Sequence, residues 1–470
     1  MHINSHPLSR RRVLTGAIAC GTLASPSRAF GQEFGWSRYA KIAAAITPPR
    51  FPNRIFLVTN FGATGDGQTD CTGALQHAIA ACHESGGGRV LVPSGTWLTG
   101  PLVLESNVEL HIAKGATLSF DTNPARYLPP VLTRWEGVEL MGYAPCIYAF
   151  GAQNIAVTGE GTLDGNADNT HWWPWCSAPK FGWQEGHPNQ MHDRRRLFEM
   201  AEANIPVTDR VFAEGNTLRP VFFQPYRCKN VLIEGVTLRR TPFWQIHPVL
   251  CTNVTVRGVT MNSYGPNNDG CDPESCDHVL IENCIFDTGD DCIAIKSGRN
   301  ADGRRLGVPS QNIIVRNCLF KNGHGGVTIG SEISGGVRNI FVENCRMMSA
   351  DLGSAIRIKS NALRGGILEH IHVRDITIDR LTHAALTIDL NYEEGANGPF
   401  KPIVRDVSLE RVTSSQSDYG IDLQGLPQSE VADIVLKNCD FKNVASGNIV
   451  RNVRHLQLEN VAVNGIPARY

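Results

Sequence analysis

Two adjacent acids, Asp290 and Asp291, stand in Gly289-Asp290-Asp291-Cys292-Ile293-Ala294-Ile295-Lys296, where a glycine turn runs into a short strand of period two. Three further polar groups sit in short apolar frames: Asn267-Asn268-Asp269-Gly270, Gly323-His324-Gly325-Gly326 and Ile356-Arg357-Ile358-Lys359. Three carboxylates brought close together cannot all ionise freely, because like charges push at least one pKa upward. A protonated acid beside an ionised one is what cleavage of a glycosidic bond needs. One protonates the leaving oxygen and the other activates water. His324 can donate to a carboxylate and decide which one keeps the proton. Arg357 and Lys359 share a strand face and read as a grip on an anionic sugar. Singly, each piece has an ordinary alternative: a solvated turn, an exposed strand face, a tight bend.

The elements that must position these groups are repeats. A polar residue, a short β-branched strand and then Asn, Gly or Asp recur at Asn230–Gly235, Asn253–Gly258, His278–Asn283, Asn312–Asn317, Asn339–Asn344 and His370–Asp375, with later copies at Asp433–Asn438 and His455–Asn460. Each of several units adds a second apolar strand, as at Ile293–Ile295, Val327–Ile329, Ile356–Ile358 and Leu386–Ile388. Successive starts lie 23 to 34 residues apart, which leaves no room for crossover helices. The fold expected is all-β, a right-handed parallel β-helix (solenoid) with one repeat per coil. Coils stack roughly 4.8 Å apart, so Asp269, Asp290/Asp291, His324 and Arg357/Lys359 form one ladder roughly 14 Å long. Consecutive Asp290 and Asp291 can face one groove only if the Gly289 turn has not yet become strand.

The rest of the chain divides around that array. Residues 1–29 read as a twin-arginine signal peptide: Ser9-Arg10-Arg11-Arg12-Val13-Leu14, an apolar run to Leu23 and a small-residue cleavage site at Ser27-Arg28-Ala29. Export by that route places the mature protein in the periplasm or outside the cell. Residues 30–54 read as a linker or arm. Residues 55–144 read as an N-terminal cap with a helix over 71–84, Asp70 as its N-cap and Gly86-Gly87-Gly88 as its stop. The catalytic β-helix is expected over 145–470, interrupted by an insertion at 166–222. That insertion holds Trp172, Trp173, Trp175, Trp183 and Arg194-Arg195-Arg196. It suits stacking and pairing with a sugar acid, or equally a surface excursion with its own small aromatic core.

Composition excludes several classes. Losing the leader removes four arginines and no acid, taking the formal charge from −1 to −5. A nucleic-acid partner is not expected without a basic footprint, and no stretch is long and apolar enough to span a membrane once the leader is gone. Of 14 cysteines, loss of Cys20 leaves an odd number, which argues against a complete disulfide framework. Asn283-Cys284, Asn317-Cys318, Asn344-Cys345 and Asn438-Cys439 repeat in one frame and read as small buried side chains. No Cys/His spacing reads as a zinc site, and no metal or cofactor is expected. The oligomeric state is not legible.

The set Asn267-Asn268-Asp269, Gly289-Asp290-Asp291, Gly323-His324-Gly325 and Arg357-Ile358-Lys359, in that order, resembles the polygalacturonases of glycoside hydrolase family 28. The resemblance covers nearly all of the mature chain. It implies inverting, metal-independent hydrolysis of α-1,4-linked galacturonic acid in polygalacturonate or pectin oligosaccharides. On it Asp290 matches the general acid, and Asp269 and Asp291 the pair that activates water. His324 matches the histidine supporting the acid, Arg357 and Lys359 the substrate carboxylate site, and Tyr392 a substrate-contacting tyrosine. Asn268 stands where the family usually has Thr. The insertion and Ser331-Glu332-Ile333-Ser334-Gly335-Gly336 resemble the bacterial exo-acting branch. The competing expectations are a hydrolase of rhamnogalacturonan or a side-chain galacturonide, a pectate lyase, and a non-catalytic β-helix adhesin.

Overall fold

The computed structural model describes residues 35–349 and 351–470; the expected leader at 1–29 lies outside them. The chain winds as a right-handed parallel β-helix. One row shows the regularity: Ile155, Val231, Val254, Val279, Ile313, Ile340, Ile371, Val407, Ile434 and Leu456 pair in sequence, each with the next. All are buried except Leu456, which is half-buried. Inward side chains therefore meet their own kind from coil to coil, and dispersion contacts accumulate along the axis.

The polar residue that opens each repeat has a backbone reason. Asn230, Asn253, His278, Asn312, Asn339, His370, Asp406, Asp433 and His455 all have φ between 53° and 60°, the left-handed region where Asn, Asp and His are enriched. Their side chains bond from rung to rung. Asn230 Nδ2 donates to Asn154 Oδ1 at 2.8 Å, Asn253 to Asn230 at 2.8 Å and Asn339 to Asn312 at 2.8 Å. His370 and Asp406 continue the pattern at 2.6 Å. Asp406-Val407-Ser408-Leu409 is thus a further repeat, paired with His370-Ile371-His372-Val373 and absent from the copies picked out in the sequence.

A second sheet carries the site. Its rungs are Leu102–Val103, Ile147–Phe150, Phe223–Tyr226, then Ile246 and Cys271 as single bridges, then Ile293–Ile295, Gly325–Ile329, Ser354–Lys359, Ala384–Asp389, Tyr419–Gln424 and Ile449–Arg451. Parallel pairing already runs from Ile55–Leu57 through Gly88–Val92 to Val108–Ile112, so the winding begins ahead of residue 145. The helix Thr72–Glu84 packs across that first end with Leu75, Ile79 and Cys82 buried. Its N-cap position is Cys71 rather than Asp70, although the Asp70 carboxylate accepts the Thr72 amide at 3.1 Å.

Three segments differ from expectation. The arm is not a free linker: Trp36, Tyr39, Ile42 and Ile46 pack on Leu280, Ile314 and Phe341 of the outer sheet. A hairpin of Val131–Trp135 and Val138–Gly142 projects from the part read as cap. In the insertion, the aromatic residues Trp172, Trp173 and Trp175 are used for packing. Trp172 joins the main core beside Tyr127, and Trp173 and Trp175 pack against that core. The helix Met191–Glu202 sends Leu197 and Ala201 into a second core with Trp135, Phe243 and Trp244.

Candidate active site

The three acids meet. Asp269, Asp290 and Asp291 each place a carboxylate oxygen within 4.8 Å of the other two. Residues 289–292 lie between the strands Ile285–Thr288 and Ile293–Ile295, so Asp290 and Asp291 escape strict alternation, as the Gly289 turn requires. A Cβ at Gly289 would stand 2.5 Å from the carbonyl oxygen of Gly265, and one at Gly323 would stand 2.6 Å from Cys292 Sγ. Both glycines let adjacent coils close on the acids. Asp290 Oδ1 accepts the Asp291 amide at 2.9 Å and faces His324 Nδ1 at 2.9 Å. Asp291 accepts from Lys359 Nζ at 2.8 Å and from Thr328 Oγ1 at 2.9 Å, with Arg357 Nη1 at 3.8 Å.

Asn268 is wholly buried and holds the turn below Asp269. Its oxygen accepts from Ser263 Oγ at 2.6 Å and the Gly265 amide at 2.9 Å, while Nδ2 donates to the carbonyls of Thr241 and Phe243. An amide is needed to donate and accept in this way. The departure at 268 is a structural solution that leaves Asp269 in place.

Environment separates the acids. Burial, then the charges of Asp272 and Asp290, push Asp269 well above the usual carboxylate range, with Lys296 opposing. Burial likewise raises Asp272, whose two oxygens have no hydrogen-bond partner among the described residues. Burial also works on Asp290, but the hydrogen bond and charge of His324, with Lys359 and the Asp291 amide, outweigh it and hold Asp290 low. His324 is raised by its bond to Asp290. Both shifts favour the shared proton on the imidazole over Asp290.

Several lining residues had no assigned site role in the sequence: Arg194, Asn267, Lys296, Ser331 and Glu332 stand in segments singled out there, and Glu136, Trp244 and Glu393 were missed altogether. Glu136, Arg194, Trp244, Asn267, Lys296, Ser331, Glu332 and Glu393 join Asp269, Asp290, Asp291, Lys359 and Tyr392 around a cavity of about 130 Å³. Lys296 was readable in principle, because it occupies the outward row that reaches Lys359 two coils later and continues to Asp389. Its Nζ lies 3.2 Å from Glu332, 3.8 Å from Asp269 and 4.0 Å from Asp272, over the Trp244 ring at 4.3 Å. Lys359 Nζ stands 5.2 Å from the Tyr392 ring centroid. A cation could bridge the three acids, but the ammonium groups of Lys296 and Lys359 already serve them. His370, His372 and Asp406 form a second cluster of possible ligands on the outer sheet, where the His370–Asp406 contact is a rung of the polar ladder.

The hairpin bars the floor beside the acids. Trp135 stacks on Phe243 at 5.2 Å, and Arg134 meets Glu274 at 3.1 Å with both side chains wholly buried. Gly137 accepts the Arg299 amide at 3.0 Å. Arg210–Asp302 and Arg305–Glu139, at 2.8 and 2.6 Å, hold the second strand. The insertion helix braces the tip through Arg194 Nε and Glu136 Oε2 at 2.7 Å.

The model of the glycosyl hydrolases family 28 matches residues 210–462. The chain belongs to this family. A second model, rhamnogalacturonase A/epimerase, pectate lyase-like, matches residues 55–115. A solved exopolygalacturonase from Thermotoga maritima is 45% identical, with TM-score 0.90, over 92% of this chain and 97% of that one. An exo-poly-alpha-D-galacturonosidase of Dickeya chrysanthemi is 27% identical over 84% of this chain and 69% of its own. A probable polygalacturonase of Vitis vinifera is 27% identical over 81% and 73%. This family 28 member is a glycoside hydrolase.

Proposed function

We propose that the chain hydrolyses α-1,4-galacturonosidic bonds of galacturonan from chain ends. The observation that carries this is the hairpin Val131–Gly142 lying across the sheet floor beside the three acids, which turns a groove into a pocket. A galacturonate carboxylate takes Arg357 and Lys359. That contact neutralises Lys359, one of the cations holding Asp290 low, so Asp290 recovers the proton from His324. Asp290 then protonates the glycosidic oxygen, while Asp269 and Asp291 together hold the attacking water and Asp291 takes its proton. Tyr392, beside Lys359, flanks the sugar. Relatives named for exopolygalacturonase activity support the substrate class. Inversion rests on the family resemblance, since acids this close lie nearer the spacing of retaining enzymes.

Incubation with polygalacturonate, and with rhamnogalacturonan in parallel, tests the reading. New reducing ends from polygalacturonate without an ultraviolet-absorbing product are expected. An unsaturated product would mean a lyase, and preference for rhamnogalacturonan would mean the alternative substrate.

Export by the twin-arginine route to the periplasm or beyond is part of the same proposal. The thirteen cysteines among the described residues are all free, and twelve are buried, which supports folding in a reducing compartment before export. Replacing Arg10, Arg11 and Arg12 by lysine should leave active protein in the cytoplasm; unchanged export would contradict this.

A further inference from the structure

We propose that Glu136, oriented by Arg194, reads the free 4-hydroxyl of the terminal galacturonate and so selects which chain ends the enzyme accepts. The proposal rests on the end-acting reading above. In an α-1,4 chain, the residue attacked at C1 presents O4 on its far side. Arg357 and Lys359 lie on coils after Asp290, so the leaving part of the chain extends that way. The attacked residue then lies toward Trp244 and the hairpin. The hairpin occupies the floor beyond it, so O4 must be a hydroxyl and not a bridge to another sugar.

Glu136 stands at that boundary, in the hairpin turn with φ 41°, lining the cavity and only 8% exposed. Its Oε2 is taken by Arg194 Nε, while Oε1 makes no hydrogen bond among the described residues. Arg194 also lines the cavity, held over the Phe198 ring at 4.7 Å. One open acceptor beside a guanidinium with further N–H groups is what a hydroxyl needs, since it donates once and accepts. The hairpin is pinned on its first strand by the buried Arg134–Glu274 ion pair and on its second by Glu139, whose amide donates to the buried Asp302 and whose carboxylate meets Arg305, so Glu136 and Arg194 are preorganised. A chain end made by eliminative cleavage carries a C4–C5 double bond and no O4. It would leave Oε1 of a nearly buried carboxylate without a donor, and sites built to bond a hydroxyl reject analogues that lack it.

The test compares hexagalacturonate with its 4,5-unsaturated counterpart, both labelled at the reducing end. Wild type should show kcat/KM on the order of 100-fold lower for the unsaturated chain. Glu136→Ala should lose that factor on the saturated chain and change little on the other, so that the ratio falls toward one. Glu136→Gln keeps the side-chain shape and serves if the alanine variant does not fold; the ratio should fall in the same direction. Equal wild-type turnover of the two chains, or an unchanged ratio in the variants, overturns the proposal alone. Internal cleavage of the labelled chain overturns the end-acting reading and this proposal with it.

Discussion

His324 Nδ1 lies 2.9 Å from Asp290 Oδ1, and the two groups displace each other in opposite directions. Asp290 is held low, so its contribution to stability is full above about pH 4 and fades as pH falls through the lowered value. His324 is held high, so its contribution is full below about pH 6.5 and fades as pH rises through the raised value. The pair stabilises fully only between those limits. The same proton serves catalysis, so activity should decline on the alkaline side as the pair gives it up. His324→Ala should lower kcat/KM about 100-fold and move the alkaline limb to lower pH. A pH–rate profile with an unmoved limb would show that the histidine does not store the proton.

Asp290→Asn removes the acid and keeps the shape. It should cut kcat by 10²-fold or more, by order of magnitude, with a cooperative unfolding transition kept at a lower melting temperature, because the bond to His324 is weakened, and with retained binding of oligogalacturonate by calorimetry. Retained turnover would favour a non-catalytic β-helix.

Lys296 is wholly buried among Glu332, Asp269 and Asp272. Burial disfavours its charge, but those three acids outweigh burial and raise its pKa well above the usual value. Lys296→Met leaves them without their shared cation. A loss of about 3–5 kcal/mol is expected at neutral pH, measured by denaturant unfolding, and it should shrink as acidification neutralises the acids.

Asn253 illustrates the ladder. Asn253→Ala removes the bond to Asn230 and the bonds to the amide and carbonyl of Thr47, and places alanine at φ 59°. The expected cost is about 2–3 kcal/mol, from the partly exposed hydrogen bonds and a left-handed backbone. Asn253→Gly should cost less, because only the hydrogen bonds are lost. Equal losses in both variants would show that the backbone conformation is not what the asparagine serves.

The β-helix was legible because its rows repeat polar–aliphatic–x–aliphatic, and the candidate site residues because they lie in or beside successive rungs of the second sheet. Asp269, Asp290, Asp291, His324, Arg357 and Lys359 come from such rungs, whereas Tyr392 lies beyond the end of the strand Ala384–Asp389 and was expected from the family resemblance alone. The wall was not legible. Glu136 and Arg194 lie outside the repeat, and their meeting depends on Trp135 stacking on Phe243 and Arg134 reaching Glu274, contacts with no local periodicity. The tryptophans of the insertion left two readings open, sugar stacking and packing, for a related reason. Trp172 is 3% exposed, inside a core that only the folded chain creates.

Polygalacturonate viscosity followed against reducing-end release tests the central claim most directly. A pocket closed by the hairpin predicts that viscosity stays high while reducing ends accumulate, because chains shorten only from their tips. A steep early fall in viscosity would mean that chains thread past Glu136, and would contradict the account.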